Sequence, residues 1–193
     1  MPRAATTPVA LPSWPVTATS RLPTPLERST MPPLERFRHA QNQSHEGFAE
    51  ALAELRSGAK RGHWIWYVFP QLAGLGTSAM SLRFAIDPDD SAAYLSDPEL
   101  RTRLIFATNA VADQLRSGID LATLMGSTID ARKVISCLTL FEGVCRRLRQ
   151  DANNEELLSF AAAADEIISI CEPQGYPRCP FTLARLHGWQ PRE

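Results

Sequence analysis

The stretch Asp97-Pro98-Glu99 constrains this chain more than any other. A carboxylate that can take free backbone N–H groups, a proline at the first helical position and an acid in the first turn together start an α-helix. Leu100, Leu104, Ala107, Val111 and Leu115 follow at three- and four-residue spacing, and Ser117-Gly118 closes the segment. A chain that commits this much sequence to one amphipathic helix must bury that stripe against other elements, so the neighbouring segments decide the fold class.

Those neighbours show the same pattern. Leu34, Phe37 and Ala40 form a short amphipathic turn after Pro32-Pro33. Ser44 is placed to cap a helix with Glu46 in its first turn and Phe48, Leu52 and Leu55 on one face, stopped at Gly58. Thr77 or Ser78 can cap a helix carrying Met80, Leu82, Phe84 and Ile86. Asp87 to Asp90 can cap a short helix through Leu95, and Asp120 another through Met125. Asp130 is placed to cap a long helix with Val134, Leu138, Phe141, Val144 and Leu148. Asn154 starts one running to Cys171, and Pro180 to His187 can form a last. The result is an all-α expectation: one compact multihelical domain of about seven or eight helices, with no regularly alternating strands and no internal repeat.

Residues 1–30 read differently. They hold six of the 15 prolines, no glycine and one acid, Glu27. Such a segment buries too little apolar surface to offset its ordering entropy, which predicts a disordered extension ahead of a domain over 31–193. Its prolines oppose the amphipathic helix of a transit peptide, and it lacks the apolar core of a secretory signal. A translation start at Met31 is the further option.

A formal charge of -1 argues against a partner held mainly by electrostatics, such as nucleic acid or an anionic membrane. No apolar run approaches the length of a bilayer span. The cysteines, Cys137, Cys145, Cys171 and Cys179, lack zinc-ligand spacing, and Cys137 and Cys145 fall about 12 Å apart along one helix, too far to bond. They read as small buried residues in a reducing, cytoplasmic setting. No metal site and no cofactor is expected. Only two lysines, Lys60 and Lys133, stand among 18 arginines, a bias that reads mainly as genome composition. Arg146, Arg147 and Arg149 read as a solvated helix end.

The segment from Lys60 to Gly76 is the unusual one. Trp64-Ile65-Trp66-Tyr67-Val68-Phe69 is six large residues in a row, whose β-branched and aromatic content favours a strand, although periodicity alone does not separate a strand from a buried helix. His63 lies beside Trp64 and Trp66 and three residues after Lys60. An imidazole suits proton transfer near neutral pH, an indole face can stack on a planar ring, and Gln71 offers amide edges. Gly74-Leu75-Gly76-Thr77-Ser78-Ala79 matches the dinucleotide fingerprint in form, but Pro70 to Ala73 separate it from the apolar run and no second β-rich run follows. It reads as a glycine turn, whose following helix start could hold an anion. Lys133, Ser136 and Thr139 share one stripe of the long helix, which faces either a site or water.

The run Lys60-x-x-His63-Trp64-x-Trp66-x-x-Phe69-Pro70-Gln71-x-x-Gly74-Leu75-Gly76-x-Ser78 resembles the signature of the DUF 1810 family. The resemblance extends upstream to Phe37, Ala40-Gln41 and Ala51 to Gly58, and downstream through Ala93-Tyr94-Leu95, Pro98 to Leu104, and Asp130-x-x-Lys133 with Thr139-Leu140-Phe141. It implies a single all-helical domain beginning near Met31, and so leans the aromatic run toward helix. It supplies no reaction. The calpastatin label sometimes attached to the family finds no support, because calpain inhibitors are long, disordered and repetitive. Cys137 stands where the family usually has serine, and Phe84 where it usually has tyrosine.

Two functional expectations follow. In the first, His63 and Lys60 act as catalytic groups beside a ligand-binding set of Trp64, Trp66, Gln71, Gly74, Gly76, Ser78, Lys133 and Thr139. The ligand is a flat small molecule, nucleotide-like or NAD-derived, and N-glycosidic hydrolysis is a reaction such a pocket could support. In the second, the domain is a non-catalytic interaction or scaffolding module whose aromatic segment is core.

Overall fold

The computed structural model describes residues 34–148 and 155–190. Among them are ten α-helices and no strand, more than the seven or eight the sequence predicts, in part because the aromatic run adds a helical turn at Ile65–Val68. In chain order they are α1 (Glu35–Gln41), α2 (Phe48–Arg56), α3 (Ile65–Val68), α4 (Ala79–Arg83), α5 (Pro88–Ser96), α6 (Pro98–Arg116), α7 (Leu121–Met125), α8 (Thr128–Leu148), α9 (Glu155–Cys171) and α10 (Pro180–Leu186), with a 3-10 turn at Glu172–Gln174. The predicted extension over 1–30 and the proposed start at Met31 lie outside the described residues. No helix among the described residues is long and apolar enough to cross a membrane.

The centre of the fold is α8. From Val134 to Cys145 every side chain is buried, and α5, α7, α9 and α10 pack round it. A helix that is buried on all sides can carry few charges, and in that stretch Glu142 alone is charged, paired with Arg146 and Arg178. On one flank of this core, α6 packs between α2 and α9.

Several predicted starts are present. Asp97 Oδ1 accepts from the Leu100 N–H at 2.9 Å, Asp87 from Asp90 at 2.8 Å, Asp120 from Thr123 at 2.9 Å and Ser78 from Ser81 at 3.1 Å. Two differ. Ser44 caps nothing, because α2 begins later, at Phe48, with Gly47 in the capping position. Asp130 does not cap α8 either. Ser127 does, its Oγ accepting from the Asp130 N–H at 3.0 Å, and this frees the Asp130 carboxylate for side-chain partners.

The aromatic run is not a strand. It forms the single turn α3, and Pro70 ends the buried segment that follows it. A buried strand needs a ladder on both edges, and the fold offers one isolated bridge beyond the run, Leu72 with Ile86. There the Ala73 N–H donates to Ile86 O at 2.8 Å and the Ile86 N–H to Gln71 O at 3.1 Å. This clip pins both ends of the loop and helix between residues 73 and 86, and so holds Gly74 to Ser81 as a fixed wall beside α8.

Candidate functional site

A cleft of about 390 Å³ opens between that wall and the first turns of α8. Gln71, Leu75, Gly76, Thr77, Ser78 and Ser81 line one side; Ile129, Arg132, Lys133 and Ser136 line the other; Trp66 of α3 lies between. The volume falls in the lower part of the range for small-molecule sites. Two glycines shape the loop. Gly74 has φ +98°, and a Cβ on Gly76 would meet Ser81 Oγ at 2.6 Å.

The sequence placed ten residues in one site, and the cleft takes five of them: Trp66, Gln71, Gly76, Ser78 and Lys133. The others lie elsewhere. Trp64 is wholly buried, and its indole N–H donates to Glu54 Oε2 at 2.7 Å. His63 is exposed, away from the cleft lining, with its backbone N–H on Glu46 Oε1 at 3.0 Å. Gly74 makes the turn without lining the cleft, its missing Cβ facing Phe181. Thr139 is fully buried; its hydroxyl donates to Ile135 O and accepts from the Cys179 N–H at 3.1 Å, which anchors the loop before α10. Lys60 sits behind the cleft, its side chain 8% exposed.

Lys60 nevertheless belongs to the site's electrostatics. Its ammonium donates to Gly62 O at 2.7 Å and meets Asp130 Oδ2 at 2.9 Å, and it lies 5.2 Å from the centre of the Trp64 ring. Lys133 repeats the arrangement on the cleft side, 2.8 Å from Asp130 Oδ1 and 4.4 Å from the centre of Trp66. One carboxylate therefore joins two lysines 73 positions apart in the chain, each resting on a tryptophan. Burial works against the Asp130 charge, but the hydrogen bonds and charges of Lys133 and Lys60 outweigh it and hold this carboxyl below its ordinary range.

Arg132 lines the cleft half-buried, with no hydrogen bond or ion pair to another described residue. Both oxygens of its neighbour Asp130 are taken by the lysines. The indole N–H of Trp66 is likewise buried without an acceptor among the described residues. Gln71 spends its amide N–H on Phe69 O at 2.9 Å, which leaves its amide oxygen for another donor. Ser78 and Ser81 hydroxyls are paired at 2.8 Å. The anion site expected at the helix start after the glycines is weak here: α4 has five residues, and Ser78 already takes the Ser81 N–H.

Sequence reasoning missed Leu75, Thr77 and Ser81 on the loop and Ile129, Arg132 and Ser136 on α8, and the last three were legible from their spacing to the predicted Lys133. Ile129, Arg132, Lys133 and Ser136 stand at i, i+3, i+4 and i+7, a single stripe at the start of α8. Thr139 continues that stripe but falls beneath α10. Of the two departures from the family pattern, Cys137 lies outside the cleft lining, whereas Phe84 lines a small recess walled by the cleft's own Trp66, Gln71, Leu75, Gly76 and Ser81. Cys137 is wholly buried, and burial pushes its thiol well above the ordinary range. Phe84 packs against Tyr67 and Phe37, with ring centres 5.2 and 5.7 Å apart.

Fold and cleft together define an all-helical domain in which a glycine-bearing loop and the start of the central helix enclose a ligand-sized, cation-bearing cleft. Residues 32–166 match the model of a family described as "Protein of unknown function (DUF1810)", and the chain belongs to that family. It is similar to the conserved hypothetical protein Rv1873 from Mycobacterium tuberculosis, whose crystal structure was determined at 1.38 Å. The two are 29% identical with a TM-score of 0.61, over 81% of this chain and 97% of that one. Comparison with curated proteins gives no match.

Proposed function

We propose that the cleft binds a flat, anionic small molecule, nucleotide-like or NAD-derived, in a cytoplasmic protein. One observation carries this: an unpaired, half-buried Arg132 beside Lys133, in a cleft that also holds an indole, a free amide oxygen and apolar walls at Leu75 and Ile129. A half-buried guanidinium with no counter-ion is costly unless something anionic completes it. Ile129, 64% exposed at the rim, gains by contact with an apolar ring. The cysteines, all buried and free, fit a reducing compartment.

The lining favours binding over hydrolysis, because none of its residues is a carboxylate, imidazole or thiol able to take a proton from water. A thermal-shift series with nucleotides, nucleosides and NAD-derived metabolites tests the proposal. Stabilisation by such compounds, lost in Trp66→Leu, is the expected outcome; a flat response across the series would refute it. The scaffolding alternative draws on a separate observation: Trp64, Ile65, Tyr67, Val68 and Phe69 are all core, so most of the aromatic block has a structural use.

A further inference from the structure

We infer that Arg132 and Lys133 form a phosphomonoester subsite, so that the ligand class is a mononucleotide rather than a dinucleotide or a neutral nucleoside. The inference rests on the cleft being a small-molecule site and names the charged end of its occupant. Charge, donor geometry and size argue for it independently.

The charge argument starts at Asp130. Lys60 and Lys133 share this one carboxylate, and its two oxygens are spent on them, which leaves neither for Arg132. Glu54 lies on the far side, near Lys60, with its oxygens taken by the N–H groups of Arg61, Gly62 and Trp64. Asp130 therefore holds both lysines, Glu54 adds a second negative charge on the Lys60 side, and Arg132 has no ion-pair partner among the described residues. The surplus faces the cleft, since Arg132 and Lys133 line it and Lys60 does not.

The donors are arranged for an oxyanion with several oxygens. Lys133 spends one N–H on Asp130 and rests on the Trp66 ring, and a tetrahedral ammonium so placed keeps a further N–H to give. The Arg132 fork has none of its N–H groups engaged by another described residue. Ser78, Ser81 and Ser136 line the same cleft, but their hydroxyls are held by each other at 2.8 Å and, for Ser136, by Thr182 at 3.4 Å, so the two cations supply the donors. A planar carboxylate uses two such donors well, whereas a terminal phosphate offers three oxygens in three directions.

Size sets the upper bound. A cleft of about 390 Å³ suits one base, one sugar and one phosphate, and a dinucleotide would extend far beyond it. The rest of such a ligand would meet Leu75, Ile129 and Trp66, with the Gln71 amide oxygen as acceptor for an exocyclic amine.

The experiment is calorimetric titration of the full chain with adenosine, AMP and inorganic phosphate, repeated on Arg132→Met. Arg132 pairs with nothing described, so its removal leaves the fold's own contacts in place. AMP should bind at least about tenfold tighter than adenosine, and Arg132→Met should remove most of that advantage while leaving adenosine affinity unchanged. Inorganic phosphate should compete with AMP weakly and not with adenosine. Equal affinity for adenosine and AMP would overturn the phosphate subsite and leave the cleft as a nucleoside site. An AMP advantage that survives Arg132→Met would also overturn it. If neither adenosine nor AMP binds, the small-molecule function falls and the subsite with it.

Discussion

Trp64 and Trp66 are two residues apart, and each carries a lysine ammonium against its ring, yet they do opposite work. Trp64 is wholly enclosed, packed near Phe69, and its N–H is satisfied by Glu54. Trp66 is half-buried at the cleft, and its N–H has no acceptor among the described residues. In one helical turn, a step of two residues rotates a side chain by about 200°, so neighbours of identical chemistry are sent to opposite sides of α3. The difference teaches that a run of large aromatic residues is not one feature. One face is core and the other is surface facing a pocket, and only the second is open to a ligand.

The sharpest test of that division is truncation of the buried ring. Trp64→Ala should cost about 3–5 kcal/mol in urea denaturation, through a cavity and the loss of one of the hydrogen bonds to Glu54, whereas Trp66→Leu should cost well under half as much. A Trp64 variant of near-native stability would break the comparison. Next comes the carboxylate that both ammonium groups share. Lys60→Met should destabilise by about 1–3 kcal/mol, because it leaves a partly buried carboxylate with one partner instead of two.

Acid should act on the same contacts more gently. The Asp130 and Glu54 carboxyls are both held below their ordinary range in the folded chain, in each case against a burial effect that works the other way. A depressed folded value means that each group's contribution is complete above its unfolded value and is lost as pH falls through the folded one. Melting temperature should therefore drop between about pH 5 and pH 3, and the drop should be shallower in Asp130→Asn. A Tm unchanged over that range would remove the charge network from the account of stability. The smallest effect belongs to His63. Exposed and outside the cleft lining, His63→Ala should change stability by no more than about 0.5 kcal/mol and leave any ligand response intact. A lost response there would return the imidazole to the site.

Much of the fold was legible because local chemistry and global packing agree. Asp87, Asp97 and Asp120 cap where their spacing says they should, and the stripe of Leu100, Leu104, Ala107, Val111 and Leu115 is buried along α6. The sequence misled where two residues compete for one role. Ser127 and Asp130 can each cap α8, and nothing local says that the hydroxyl wins because the carboxylate is drawn to Lys60 and Lys133. The aromatic run misled for a related reason. β propensity measures fit to a pleated surface, and here no pleated surface exists to fit. Half of the cleft was foreseen from the loop side. The α8 side was less visible, because Thr139 obeys the same helical stripe as Lys133 and only the tertiary position of α10 decides which of them stays open.

The pairing of both lysines on Asp130 has a practical side. Reagents that react with ε-amines ordinarily mark a protein surface at many points; this chain has only two such amines, and they share a counter-ion at the edge of one cleft. The more open one, Lys133, becomes a natural reporter, so the extent of its labelling would register whether that cleft is filled without any tag or engineered probe.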